Sequence, residues 1–525
     1  MSLYLAHMTT KHTLSRLTKN LLTQLATIVF IVAVVLIPAM SASALASSDT
    51  IGNTTGTQIE SYIQQQAKAA HIPGVSFGIV YGNKTTLLGA YGNVNPNTPF
   101  FLASLSKSFT ALAIMQLVDQ GKVSLNAPVR QYIPWFKVGN GSESNSMTVI
   151  ELLDQTSGLS NKAGLTALTF KPTTTLPQAI KGFEGFPLVS KPGKTFQYSN
   201  ANYMVAGYIV QQASGQSYDS YVQQHIFSPL DMTHTYAMTG TAHEAGLTKG
   251  SAVWFGFKLP LTEKVAPALI PDGYIISSAS DMTHYLTMQM NGGVYDGTQI
   301  VSAKSIKEMH TALVSLPNGQ SPVPDTSSYG LGWGVGTLNG TPIIAHDGQL
   351  RDFQTNMAIL PDKNIAVVML INQDPQLLNE GLTFQGVLQG ITTGTFLPIS
   401  HIFTIFYVIF DLIVLASLVL MIRSFWKIGR WLKKFQKRVL QKGFTRTFIK
   451  AVGFDLVIAI VISILVFYGL GSVFGYVPLT PTLMIFALPD VSVWLYVLIG
   501  FFTVRVLVKT TVVLFSKKQI RLKPQ

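Results

Sequence analysis

Three long apolar stretches close the sequence, near residues 400–422, 451–475 and 491–514, and each is long enough to cross a bilayer as a helix. Inside lipid every backbone polar group must be satisfied within the chain, so residues 396–525 read as a membrane domain of three helical spans. Between the first two lies residues 423–450, RSFWKIGRWLKKFQKRVLQKGFTRTFIK, with ten basic residues and no acid. The positive-inside bias puts this loop and the basic end SKKQIRLKPQ in the cytoplasm, and the loop also suits an amphipathic helix resting on anionic lipid. Three spans that end inside begin outside, so the preceding domain is expected on the outer face. Asp411, Asp455, Arg505 and Lys509 fall within or near the spans, where ionisable groups are costly. Their depths predict structural pairs, Asp455 with Lys509 and Asp411 with Arg505, in preference to a transport path.

This membrane reading also accounts for the charge. The formal net charge of +13 divides into +3 for residues 1–46, +13 for residues 396–525 and −3 for everything between. A nucleic-acid binder needs a basic stripe on a folded face, and the central part offers none, so no nucleic-acid partner is expected. Residues 1–46 read as a signal peptide: a basic start, the apolar run Ala26 to Ile37, then Ala44-Leu45-Ala46 before a cleavage point at Ser47. An uncleaved anchor helix is the competing reading, and either one exports the segment after it. Zero cysteines exclude a disulfide framework, a thiol nucleophile and cysteine-held zinc or iron–sulfur clusters, and fit a bacterium, weakly a Gram-positive one. No cofactor and no metal site is expected.

Residues 47–395 form the exported domain. A helix with Ile59, Tyr62 and Ile63 on one face begins near Thr57, and VSFGIVYG and TTLLGAYG read as a hairpin around Asn83-Lys84. Next, PFFLASLSKSFTALAIMQLVDQGKVSL has helical spacing of Phe109, Ala113, Ile114, Leu117 and Val118, with Ser104 at its start. Ser104-Leu105-Ser106-Lys107 is a Ser-x-x-Lys sequence. Residues three apart share a helix face, so the amine can bond the serine hydroxyl and help remove its proton, while the helix N-terminus favours the anion. Such sequences also arise in helices by chance, and Ser106 lacks a lysine three residues on. Two later segments add weight: Tyr198-Ser199-Asn200 before an apolar helix, and His346-Asp347-Gly348 on a strand that leads into the hairpin FQTNMAIL and IAVVMLIN.

Together with LLDQTSGLS, GYIISSASDMTHYLTMQMNGG and YGLGWGV, these motifs resemble the serine beta-lactamase and penicillin-binding protein superfamily, in the branch of class C beta-lactamases, D-Ala-D-Ala carboxypeptidases and related esterases. The resemblance covers about residues 57–390. It implies an α+β fold of the beta-lactamase/transpeptidase type, an antiparallel sheet flanked by helices with a helical region at about 106–270, followed here by the three spans. It further implies Ser104 as the nucleophile forming an acyl-enzyme, Lys107 as its proton partner, and Tyr198 as base or shuttle with a phenol pKa lowered by nearby cationic charge. Asn200 would hold the substrate amide, the backbone N–H groups of Ser104 and Gln349 the oxyanion, and Gly348 would let substrate backbone approach the strand.

One departure stands out. Class C beta-lactamases usually carry Lys-Thr-Gly where this chain has His346-Asp347-Gly348, and an imidazole, though it donates a hydrogen bond and titrates near neutrality, is no permanent charge for a substrate carboxylate. The expectation is therefore a membrane-bound extracellular hydrolase of a bacterial cell membrane, acting on D-alanyl peptides or esters of the cell envelope. The alternatives are a penicillin-binding sensor signalling through its membrane helices, and a retired catalytic fold that binds peptidoglycan. Lipid and an envelope substrate are the expected partners, and the sequence leaves the oligomeric state open. Gly74-Val75-Ser76-Phe77-Gly78 matches a nucleophile elbow but reads as a strand. His243-Glu244 lacks the second histidine of a zinc helix, and Glu151 suits a capping box with Thr148.

Overall fold

The computed structural model describes residues 51–82, 84–139, 141–165, 170–261, 265–317, 326–374, 382–465 and 489–521. The export segment and the last ten residues of the second expected span lie outside them. Helix α1 (Gly56–Ala69) starts at a capping box in which Thr55 and Gln58 satisfy each other's backbone N–H. It leads into the hairpin of β1 (Gly74–Tyr81) and β2 (Lys84–Gly92), which contains Ser76 as a buried strand residue. The central helical region comes next, with α2 (Ser106–Asp119) and α3 (Asn200–Ser214) at its heart. Thr148 and Glu151 form the expected capping box within it. Residues Ser106 to Leu117 are all buried, so α2 is enclosed on every side and needs no polar face.

Sequence periodicity hides one element of this region. The hairpin of β3 (Gly250–Trp254) and β4 (Phe257–Leu261) interrupts the stretch expected to be helical up to about residue 270. After α4 (Ala279–Met290) come β5 (Val314–Ser315), β6 (Thr326–Tyr329), β7 (Gly334–Leu338), β8 (Thr341–Gln349), β9 (Gln354–Leu360) and β10 (Ile365–Ile371), then α5 (Leu382–Thr393). One sheet of order β2-β1-β10-β9-β8-β7-β6-β5 gathers them, every neighbour antiparallel. This is the expected α+β architecture.

Alternation along the central strands sorts the core. Val367, Met369 and Ile371 of β10 pack with Ile59 and Ile63 of α1 and Val387 and Ile391 of α5. Their neighbours Val368 and Leu370 join the second, larger core with α2, α3 and α4. Both sheet faces are covered, which is why QTNMAIL and IAVVMLI are buried without a polar phase. On β8 the same alternation turns His346 and Gly348 to the helical side and Asp347 away from them.

The chain continues into α6 (Ile402–Trp426), α7 (Ile428–Lys442), α8 (Phe444–Ile464) and α9 (Pro489–Arg521). Three of these, over Thr404–Trp426, Phe444–Ile464 and Asp490–Phe515, are long and apolar enough to cross a membrane. Much of the expected basic loop is the amphipathic helix α7. The buried Asp455 carboxylate lies 2.6 Å from Lys509 Nζ, as expected, and also 3.2 Å from Arg505. Arg505 is therefore not the partner of Asp411, which stands instead where the β3–β4 turn meets α6.

Candidate active site

Ser104 occupies a single 3₁₀ turn, Ala103–Leu105, that runs straight into α2. The residue before it, Ala103, has φ +49°, a left-handed conformation that an alanine holds only when its surroundings impose it. Those surroundings are on both sides. Leu102 N–H donates to Ile275 O at 2.8 Å, and Thr355 Oγ1 of β9 donates to Leu102 O at 2.7 Å. Ser106 Oγ bridges, donating to Ala103 O at 2.7 Å and accepting from Ile275 N–H at 3.0 Å. Ser106 is thus a strut of the turn. A Cβ on Gly348 would lie 2.6 Å from Leu102 O and 2.9 Å from Ala103 Cβ, so the missing side chain there makes room for the turn carrying Ser104.

Lys107, one helical turn on, is completely buried, with Nζ 2.9 Å from Ser104 Oγ and 2.6 Å from the backbone oxygen of Asp272. Burial pulls its ammonium down to about 8, although the Asp272 and Asp347 carboxylates hold it up. The Asp272 carboxyl is itself buried in the turn Ile270–Tyr274, and burial raises it to about 7 against the pull of Lys107. Burial thus draws Lys107 and the Asp272 carboxyl that faces it toward neutrality from opposite sides.

Tyr198 shares a hydrogen bond with Ser104, and its ring centroid lies 4.9 Å from Lys107 Nζ. Both Ser104 and Tyr198 are partly exposed, so the cleft opens to solvent. The expected lowering of the phenol does not occur: burial, with Tyr329 beside it, pushes Tyr198 well above the ordinary tyrosine value. A neutral phenol hydrogen-bonded to Ser104 can relay a proton; a phenolate base is not what this site stabilises. Asn200 begins α3, with Gly164 packed against its backbone. Gln155 ties the segment after Leu153 to the start of α3: its Oε1 accepts from Ser199 N–H at 2.9 Å and Asn202 Nδ2 at 2.6 Å.

His346 also differs from expectation. It is completely buried, its Nδ1 lies 2.6 Å from Asp347 O and its Nε2 3.0 Å from the Tyr329 hydroxyl. A carbonyl can only accept, so Nδ1 carries the proton and Nε2 accepts from Tyr329. Burial and the Lys107 charge press the ring down to about 3, so at neutral pH it is uncharged with both nitrogens engaged. Gln349, at the exposed end of β8, pairs in register with Gln354. The structure thus gathers Ser104, Lys107, Tyr198 and the His346 layer, with Gly348 against the serine turn.

Three further contributors have roles that the sequence alone does not single out. Tyr329 lies in the YGLGWGV stretch, packs edge-on to Tyr198 at 6.5 Å between ring centroids, and occupies His346 Nε2 with its hydroxyl at 3.0 Å. Asp272 is noticeable only as a lone acid in the apolar run VAPALIPDGYII. Gln155 has φ +65°, a conformation its residue type does not advertise.

The family profile described as Beta-lactamase matches residues 59–387. Among curated proteins, Protein flp of Staphylococcus aureus strain MW2 is 29% identical over 337 residues, covering 61% of this chain and 64% of that protein. Unguisins hydrolase ungD' of Aspergillus campestris is 25% identical over 345 residues, covering 62% and 64%. The chain therefore spans a little under two thirds of these relatives. The octameric penicillin-binding protein homologue from Pyrococcus abyssi superposes with a TM-score of 0.55 at 25% identity, over 63% of this chain and 76% of that one. A D-stereospecific amidohydrolase from Streptomyces sp. shares the fold, with a TM-score of 0.51 at 22% identity over 64% of this chain and 99% of that one.

Proposed function

The chain belongs to the beta-lactamase family, within the serine hydrolase superfamily, and from that premise we propose that it is a membrane-anchored extracellular hydrolase that acts through a Ser104 acyl-enzyme on D-alanyl peptides or esters of the cell envelope. The observation that carries this reading is Lys107 Nζ at 2.9 Å from Ser104 Oγ. With its value near 8, about one Lys107 in ten is neutral at pH 7. In that state Nζ takes the Ser104 proton as Oγ attacks the carbonyl carbon. The oxyanion is received by the backbone N–H groups of Ser104 and Gln349, and Asn200 holds the substrate amide. As the carbon–leaving-group bond breaks, Tyr198 relays a proton to the departing nitrogen or oxygen and is replenished from Lys107. Water then adds to the ester carbonyl, losing its proton to the same pair, and Ser104 leaves with its proton restored.

His346 supports this choice of substrate class. An uncharged imidazole with both nitrogens engaged gives a substrate carboxylate no fixed cation, which favours D-alanyl esters, and D-alanyl peptides that present no free carboxylate at that point, over beta-lactams as turnover substrates. Likeness to a penicillin-binding protein homologue is in keeping with that choice. The test is steady-state hydrolysis by the purified full chain of D-alanyl and L-alanyl peptide and ester pairs. Turnover of the D-isomers that vanishes in Ser104→Ala supports the proposal. One-time acylation by a penicillin with no turnover of any substrate would replace it with the sensor reading.

A further inference from the structure

We propose that the β3–β4 hairpin is an additional membrane contact, whose apex enters the outer lipid leaflet beside α6 and α9 and ties the rim of the cleft to the bilayer. This rests on the reading of those helices as membrane spans. The turn between the strands is Phe255-Gly256, both with positive φ, +48° and +71°, the sign pattern of a tight two-residue hairpin turn. A phenylalanine is a poor choice for such a backbone, and its ring explains its presence. Phe255 stacks on Phe410 of α6 at 5.8 Å between centroids and 11° between planes, and its N–H donates to Asp490 of α9 at 3.4 Å. Gly256 faces Tyr407 and Asp411, where an added Cβ would make ordinary contacts, and Val253 packs with Tyr407 and Phe410.

Depth decides what surrounds this apex. Phe410 lies six residues beyond Thr404, where the apolar span begins, which is about 9 Å along a helix axis at 1.5 Å per residue. The 23 residues of that span, about 35 Å long, already match the hydrocarbon thickness of about 30 Å, so the headgroup zone lies outside Thr404. A turn stacked on Phe410 therefore reaches the edge of the hydrocarbon. The next strand residues fit that position: Phe257 is 72% and Leu259 44% exposed, and the two share one face of β4 because alternate strand residues do. Lys258 between them has a stem long enough to carry its ammonium back to lipid phosphates. In water this pair would be an unexplained apolar patch; at the surface of a bilayer it continues the apolar flank of α6.

The other end of the hairpin touches the catalytic layer. An added Cβ on Gly250 would lie 2.3 Å from the buried Asp352 carboxylate, and Asp352 stands in the turn between β8 and β9, three residues after Gln349. Ser251 N–H donates to Asn372 O at 3.0 Å just past β10. A strut thus runs from lipid to the end of the strand bearing His346 and Gly348.

Since the chain has no cysteine, single thiols can be placed and labelled without background. The full-length protein carrying Phe257→Cys, labelled with a nitrobenzoxadiazole dye, is reconstituted into phosphatidylcholine–phosphatidylglycerol vesicles. Lipids bearing a doxyl quencher near the headgroup are then compared with iodide in the water. Leu418→Cys, in the middle of α6, reports on the span itself. The expected result is loss of most emission at 257 to the shallow lipid quencher, with little loss to iodide. If 418 is quenched by a deep doxyl lipid while 257 responds only to iodide, the hairpin proposal is overturned and the anchor reading stands. A 257 label shielded from both quenchers also overturns it, because protein then covers the site, as in a second copy. If 418 is untouched by lipid, the membrane reading and the hairpin contact fail together.

Discussion

Adding one methyl group at Gly348 probes how the serine turn is held. The new Cβ would lie 2.4 Å from Thr355 Oγ1, 2.6 Å from Leu102 O and 2.9 Å from Ala103 Cβ. Thr355 can rotate, but only by giving up its 2.7 Å hydrogen bond to Leu102 O. The Leu102 oxygen is backbone and has no such freedom. Bringing it to an ordinary contact of about 3.5 Å requires a shift of about 0.9 Å, two residues before Ser104 and next to the strained Ala103. Misplacing a reacting group by about 1 Å can lower the rate about 100-fold, whereas overpacking of this kind costs only about 1–3 kcal/mol of stability. Gly348→Ala is therefore expected to remain folded, with a depressed melting temperature and kcat lowered far more than KM is raised. Thr355→Ser, which keeps the hydroxyl, should retain most activity. The assay pairs thermal unfolding with steady-state kinetics on a D-alanyl ester. Wild-type kcat in a folded Gly348→Ala protein would refute the claim that this glycine exists to seat the serine turn.

Titration gives two further expectations. The acid limb of kcat/KM should rise through about pH 8 as Lys107 loses its proton, and Asp272→Asn, by removing a carboxylate that holds that proton, should move the limb to lower pH; a move to higher pH contradicts the assignment. His346 binds its proton at about 3 in the folded chain against 6.5 unfolded. Between those values the unfolded chain holds more protons, so the stability associated with the neutral ring is complete above about pH 6.5 and is lost as pH falls, by up to about 5 kcal/mol. Denaturant titrations of wild type and His346→Gln across that window should show a shallower dependence in the variant. In the membrane region, Asp455→Asn leaves Arg505 and Lys509 without their shared anion and should destabilise the protein by about 3–5 kcal/mol, read as lower yield and earlier unfolding in detergent. Asp411→Asn, with no such pair to break among the described residues, should leave yield unchanged.

Features that are local or periodic are legible in the sequence. Ser104 and Lys107 are one helical turn apart, β9 and β10 are joined by a short Pro361–Lys363 turn, and the spans are continuous apolar runs, so each can be read from spacing alone. What escapes a reading of the sequence depends on tertiary burial. The grip of Asp272 on Lys107 is made by a backbone oxygen, which every residue type possesses. Tyr198 and His346 do lie beside Lys107, yet the shifts in both run against what their expected roles require, because pKa depends on desolvation and neighbours that only the packed cleft supplies. The β3–β4 hairpin is hidden for a different reason: FKLPL alternates, but Pro260 inside so short a run argues against a strand, and Phe255 does not advertise the positive φ of the turn. Arg505 and Lys509 are four residues apart on α9, hence on one face, so both reach Asp455, and matching charges by depth alone assigns Arg505 to the wrong carboxylate.

Ser104, giving its proton to Lys107 as it attacks, is expected to be acylated. Incubating the full-length protein with a fluorescent penicillin, quenching in acid and mapping the labelled peptide by mass spectrometry tests it directly. One adduct per chain is expected, on Ser104, absent from Ser104→Ala and formed far more slowly in Lys107→Ala. An adduct on any other residue, or undiminished labelling of Ser104→Ala, would contradict it.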